Sequence, residues 1–156
     1  MQKTTLETEF VIEMHDDLIA TYGGALGLRD MSLLSSALGQ AELSRQFSEP
    51  SVHDLAATHG YHLCMDHPFV DGNKRTAAAT MLVFLALHDL ALVDPFAELV
   101  EDMVSIANKE IGKRELAELL QGNSWSTKPS GNNDLSTIYK DIKVYHGALF
   151  QKLAEV

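Results

Sequence analysis

Apolar positions in this chain recur every three or four residues almost throughout, the period of amphipathic helices. Phe10, Met14, Leu18, Ile19 and Tyr22 make one stripe, and Gly23-Gly24 ends it. Asp30 stands where it can cap a second helix carrying Leu33, Leu34, Ala37 and Leu38. Arg45 to Pro50 reads as an exposed loop or flap. Ser51-Val52-His53-Asp54 has the spacing of a capping box and opens a helix through Leu55, Ala56, His59, His62 and Leu63, ending near Met65. Asn73 starts a long helix, KRTAAATMLVFLALHDL, in which Met81 to Leu87 are apolar on every side, so it belongs at the centre of the fold. Asp94-Pro95 is a cap with proline at the first helical position, leading a helix with Leu99, Met103, Ile106 and Ala107. A shorter helix carries Leu116, Leu119 and Leu120. Strand-like alternation is confined to two or three residues between Leu90 and Val93. The pattern predicts an all-α protein without internal repeats.

At Gly122 the composition shifts. GNSWSTKPSGNN is rich in glycine, serine and asparagine and reads as a linker. Beyond it Leu135, Ile138, Tyr139, Ile142, Tyr145, Leu149 and Leu153 recur at helical spacing behind a cap at Asp134. The division expected is a compact helical domain over 1–122, a linker over 123–133 and an amphipathic helix within 134–156. The apolar face of that helix must pack on its own domain, on a second chain in an oligomer, or on a partner.

A chain of 156 residues, 46% of them hydrophobic, suffices for one domain with a substantial core. Its longest apolar run, Met81 to Leu87, is far too short to cross a membrane. Cys64 is the only cysteine, which excludes an internal disulfide and a cysteine-built zinc site. MQKTTLETEF lacks the layout of a signal peptide, so the cytoplasm is the expected location. The net charge is -10; residues 123–156 carry four lysines against three acids, so their +1 leaves -11 on residues 1–122. So acidic a body repels nucleic acid and anionic lipid. Against it, Lys74 and Arg75 stand side by side, a local positive spot suited to a small anion.

Those two cations close the stretch HPFVDGNKR, residues 67–75. Transfer of part of a nucleotide to a hydroxyl needs a base, a hard oxygen ligand for a metal on the phosphates, and donors for the negative oxygens. His67 is a base of suitable ordinary pKa. Asp71 is a hard ligand for Mg2+. Gly72 and Asn73 allow a tight turn into a helix N-terminus, whose free N–H groups favour anions, and Lys74 and Arg75 add charge. The plainer reading is a polar turn, since Asp-Gly-Asn is ordinary turn chemistry. Two cations at a helix N-terminus, however, oppose the macrodipole at about 0.3–1 kcal/mol each, a cost that a bound anion offsets.

His67-Pro68-Phe69-Val70-Asp71-Gly72-Asn73-Lys74-Arg75 resembles the signature of Fic/Doc proteins, HPFx(D/E)GNGRxxR. HDDLIATYGGALGLRD followed by LLSSAL resembles the N-terminal half of the Doc (death-on-curing) branch. The resemblance covers about residues 6–122 and implies a compact all-helical fold. It also implies a nucleotide-dependent transferase using ATP and Mg2+. His67 would deprotonate a target Ser or Thr, Asp71 would orient Mg2+, Gly72, Asn73, Lys74 and Arg75 would form the anion pocket, and Phe69 would anchor the loop in the core. Lys74 replaces the second glycine of the Fic form, and Ala78 replaces its second arginine. Full-pattern Fic proteins mostly transfer AMP. The Doc branch is known for protein phosphorylation, with the γ-phosphate at the histidine, elongation factor Tu as target, and a cognate antitoxin that folds onto the toxin. The Doc type has alanine where Gly72 stands, so this sequence lies between the two forms. The activity expected is γ-phosphoryl transfer by a toxin, the alternatives being AMP transfer or a non-catalytic binding module.

Several other residues read more plainly. His59, His62 and Cys64 read as core or supporting residues, and Tyr61 and Trp125 as core or linker packing or as partner contacts. Arg45 and Phe47 are candidates to grip an extended target segment. Thr5-Leu6-Glu7-Thr8-Glu9 matches most of the inhibitory pattern (S/T)xxxE(G/N) of some Fic proteins. Phe10 spoils its last position and Ala78 removes the usual partner of its glutamate, so control by a separate protein is expected.

Overall fold

The computed structural model describes residues 6–156; Thr5, the first residue of the inhibitory-type pattern, lies outside them. In chain order the elements are α1 (Thr8–Tyr22), α2 (Met31–Phe47), α3 (Val52–Asp66), α4 (Asn73–Leu87), β1 (Leu90–Leu92), α5 (Pro95–Ala107), α6 (Lys113–Gly122), β2 (Ser124–Ser126), α7 (Leu135–Tyr145) and α8 (Gly147–Leu153). The architecture is all-α, as the periodicity predicts. α4 is its axis: from Asn73 to Leu87 only Lys74 and Ala86 escape full burial. α1, α3, α5, α7 and α8 surround it, while α2 and α6 pack on the far side of α3. The α3–α4 contact is close because Gly60 has no side chain; a methyl there would collide with Met81.

The caps form where local chemistry places them. The Asp30 carboxylate accepts from the N–H groups of Ser32 and Leu33, at 2.8 and 3.2 Å. Ser51 and Asp54 exchange the two bonds of a capping box. Asp94 accepts from Ala97 N–H ahead of the helix that Pro95 opens.

Four expectations need correction. The expected flap is helical through Phe47, leaving a short connection before Ser51. The expected linker begins as strand β2, which pairs antiparallel with β1, Ala91 opposite Trp125. The bonds Val93 N–H to Asn123 C=O and Thr127 N–H to Asp89 C=O, both 2.8 Å, flank this ladder and bind residues 123–127 to the domain. The C-terminal helix is two helices, broken at His146-Gly147. A side chain on Gly147 would lie 3.3 Å from the Tyr22 hydroxyl, and the bend lets Phe150 pack against the Tyr22 ring. Asp134 is the N-cap of α7 by position, but its carboxylate accepts from the Thr137 hydroxyl and caps no backbone N–H.

The tail packs on its own domain. Ile138, Tyr139, Ile142, Leu149, Phe150 and Leu153 are all buried. At about 1.5–3 kcal/mol per buried side chain before entropy costs, this seam is a substantial part of the core. One polar link orients it: Asp17 of α1 accepts from the Tyr139 hydroxyl at 2.7 Å and pairs with Lys143 at 2.8 Å. Burial alone would raise the Asp17 carboxyl, but Lys143 and Tyr139 together hold it below its ordinary value.

α5 carries Glu98 and Asp102, whose Oε2 and Oδ2 are buried without a hydrogen-bond partner among the described residues. Burial, helped by the nearby Asp102 charge, raises Glu98 to about 7, although the Asn123 amide works against it. Burial and Glu101 raise Asp102 to about 6. The native state therefore holds the Glu98 proton that the unfolded chain loses, and stability falls as pH rises from the ordinary glutamate value to about 7. Glu98→Gln is expected to stabilise the protein at pH 8 by about 1 kcal/mol after solvent screening, and to change little at pH 4. Urea unfolding of both proteins at the two pH values checks this; an equal shift at both would mean that Glu98 is not the titrating group.

Candidate active site

The motif lies where α3 ends and α4 begins. α3 terminates at His67, which has the left-handed conformation, φ 50°. A non-glycine residue there needs support. Arg29 supplies it: Nε donates to the His67 carbonyl at 2.7 Å and Nη2 to the Asp66 carbonyl at 2.9 Å. The backbone N–H of Arg29 also donates to the Pro68 carbonyl, at 2.7 Å. Around it the segment before α2 runs antiparallel to the motif, Leu28 opposite Phe69, with Val70 N–H donating to the Gly27 carbonyl.

The turn closes through Asn73. Its Oδ1 accepts from Phe69 N–H at 3.0 Å, and its Nδ2 donates to the Phe69 carbonyl at 2.9 Å. Nδ2 also lies 3.4 Å from His67 Nδ1, a long contact that orients the imidazole while leaving Nε2 unengaged by the loop. Phe69 is buried, and its ring stacks on His15 of α1 with centroids 3.8 Å apart and planes 7° from parallel. Phe69 is thus held both by its backbone bonds to Asn73 and by its ring against His15. His15 is itself fully buried; Nε2 meets the Asp71 carbonyl at 2.7 Å and Nδ1 meets Asp16 at 2.9 Å.

The Asp71 carboxylate is exposed and accepts two backbone bonds, from Ala25 N–H at 3.1 Å and Gly72 N–H at 2.8 Å. Gly24, at φ 114°, makes this approach possible. A Cβ there would stand 2.6 Å from Asp71 Oδ2 and 2.9 Å from Arg75 Nη2. Gly72, also left-handed, is the N-cap of α4 and supplies no side-chain cap, so the first N–H groups of that helix carry no side-chain acceptor.

A cavity of about 220 Å³ opens at this helix start, lined by His67, Asp71, Gly72, Asn73, Lys74 and Arg75 from the motif, and by Cys64. Val70 lines it too, and the rest of its lining is Ala107 with Leu153, Ala154 and Val156. All the motif residues read from the sequence for base, metal and anion therefore meet here, and two of them are also engaged within the protein. Arg75 is buried, and its Nη1 donates to the carbonyls of Gly23 at 2.8 Å and Leu18 at 3.4 Å, so it clamps α4 to the end of α1. Burial draws its pKa down and the Asp71 charge partly restores it. The Asn73 side chain is occupied by the Phe69 backbone. Lys74 remains as the half-exposed cation of the cavity. Burial pushes the Cys64 thiol up to about 11 despite Lys74, so it is no thiolate nucleophile.

Sequence reading did not reach His15 or Arg29. His15 falls between Val11 and Leu18 at helical spacing, on the buried face of α1, and that placement was the available signal. Arg45 lies on α2 beside Glu42, and Phe47 is 82% exposed at the end of that helix. His59 is buried in the core, and His62 contacts Lys113 and Asp66.

This geometry defines a class: a helical protein in which a left-handed histidine sits beside the open N-terminus of a buried helix. The chain belongs to the Fic/DOC family, whose profile matches residues 5–85. It is 29% identical over 117 residues to "Protein kinase doc" of Escherichia phage P1, covering 74% of this chain and 92% of that protein. It is 33% identical over 105 residues to "Toxin Doc" of Mycolicibacterium smegmatis, covering 65% of this chain and 81% of that protein. Both similarities point to the Doc branch.

Arg29→Met keeps the aliphatic stem and removes both bonds to the Asp66 and His67 carbonyls. Hydrogen exchange of the amides in 67–73 is expected to accelerate about 5- to 150-fold, for a local loss of about 1–3 kcal/mol. Unchanged exchange would show that the left-handed His67 does not depend on Arg29.

Proposed function

We propose that this chain is a toxin of the Doc type that phosphorylates a protein, moving the γ-phosphoryl group of ATP to a Ser or Thr hydroxyl. The observation that carries this reading is the meeting of His67, Asp71, Lys74 and the open α4 N-terminus in one cavity. The names of the two relatives, one a kinase and one a toxin, support the phosphotransfer and toxin parts.

In this reading the α4 N–H groups and Lys74 bind phosphate oxygens and hold them without reorganisation. His67 accepts the hydroxyl proton at the ring nitrogen that faces away from Asn73. The hydroxyl oxygen then bonds to the γ-phosphorus, and the bond from that phosphorus to the β–γ bridging oxygen breaks. ADP leaves and the histidine returns its proton to solvent. Asp71 fits Mg2+, because each of its oxygens accepts one backbone bond and keeps a lone pair at the exposed mouth of the site. One carboxylate together with substrate phosphates is a usual Mg2+ arrangement. When bound, the ion offsets charge on the phosphate oxygens. Ala78 is fully buried in the core, so no guanidinium from that position reaches the phosphates, which weighs against AMP transfer. A cognate antitoxin, and a translation elongation factor as target, belong to this proposal.

The test is incubation with elongation factor Tu and ATP labelled at either the α or the γ phosphate. γ label alone on the target is the expected result. α label would indicate AMP transfer, and absence of both labels would indicate a binding module or a different target. His67→Ala is expected to lower the rate by about 10²–10⁴ with the fold intact. Lys74→Gly is expected to weaken γ-transfer without creating α-transfer. Activity undiminished in His67→Ala would remove His67 from the mechanism.

A further inference from the structure

The wall of the cavity facing the motif comes from the far end of the chain. Leu153 closes α8, and Ala154 and Val156 follow it. Its Leu153 part is fixed in place: Leu149, Phe150 and Leu153 are buried, Phe150 packs near Tyr22, and α8 lies along α5, whose last residue, Ala107, belongs to the same wall, while Val156 at its edge is 46% exposed. The cavity is partly open and holds about 220 Å³, below the range of about 300–1,000 Å³ usual for sites that enclose a drug-sized ligand. Its two sides differ in chemistry. The motif side offers N–H groups and Lys74 beside the apolar Val70, whereas the side chains of Ala107, Leu153, Ala154 and Val156 bring no hydrogen-bonding group. A chain of phosphates is narrow and finds its donors on the motif side. A nucleoside is wider, and its ribose hydroxyls and base edges would be buried against that wall unsatisfied.

We propose that Leu153, Ala154 and Val156 are specificity-determining residues of the site, admitting the phosphate end of a nucleotide and keeping the nucleoside outside. The last phosphate then lies deepest, beside His67. This rests on the phosphotransfer reading above and supplies a steric reason for γ over α. It assigns the segment after α8 a part in the active site.

Calorimetric titration with inorganic tripolyphosphate and with AMP tests this on the full chain and two variants. One variant lacks residues 154–156. The other carries Ala154→Gly and Val156→Gly, which keeps the chain length and the buried side chains of α8. The full chain is expected to bind tripolyphosphate at least about tenfold more tightly than AMP. Each variant is expected to narrow that ratio to about threefold or less by gaining affinity for AMP, with tripolyphosphate unchanged. Equal binding of both ligands by the full chain would overturn the proposal, as would a ratio unchanged in the folded variants. If tripolyphosphate binds none of the proteins, the phosphate site itself falls, and this proposal with it. If it binds the variants alone, the segment blocks the whole cavity; the phosphate site then stands and the selectivity proposal is wrong.

Discussion

One amide side chain holds the site in shape. Asn73 both accepts from Phe69 N–H and donates to its carbonyl, at 3.0 and 2.9 Å. The two bonds close residues 69–73 into a ring joined to the first turn of α4. An aspartate could make only the first of them, leaving the Phe69 carbonyl without a donor in a buried place. With the ring closed, the Phe69 side chain is aimed into the core against His15, the Asp71 carbonyl meets the same buried imidazole, and the Asp71 carboxylate is left exposed. The helix that follows is among the most buried segments of the molecule, yet its first turn stays open to the cavity.

The charges around this turn are arranged in alternation. The negative end of α1, with the carbonyls of Leu18 and Gly23, approaches the positive end of α4. Arg75 lies between them, and the Asp71 carboxylate is tied to backbone N–H groups on both sides. One of the two adjacent cations is thereby used inside the protein, holding α1 against α4. The other, Lys74, stays half-exposed at the cavity. Adjacent residues on a helix point in directions about a quarter turn apart, which explains how neighbours of like charge acquire such different tasks.

What could be read from the sequence was what is set by neighbours in the chain. Asp30, Ser51 with Asp54, and Asp94 with Pro95 act on N–H groups two or three residues away, so their pattern is visible locally. The same holds for His67, Asp71, Gly72 and Lys74, which fall in one short stretch. Distant partners decided the rest. Residues 124–126 carry no strand pattern of their own and are extended because Leu90–Leu92 offer an edge. The break at Gly147 answers the Tyr22 side chain, far earlier in the chain. Arg29 reaches carbonyls at 66 and 67, and His15 reaches Asp71. Arg75 was legible as a cation of the motif but not as a clamp, because its partners lie on α1.

The packing of α7 on α4 also has a consequence in time. α4 is complete at Leu87, whereas α7 begins only at Leu135. At a synthesis rate of about 5–20 residues per second, several seconds separate the central helix from the element that covers one of its faces. Throughout that interval the nascent chain carries an uncovered apolar strip on the helix that bears the site. The motif therefore acquires its final surroundings only after the residues of α7 and α8 have been made.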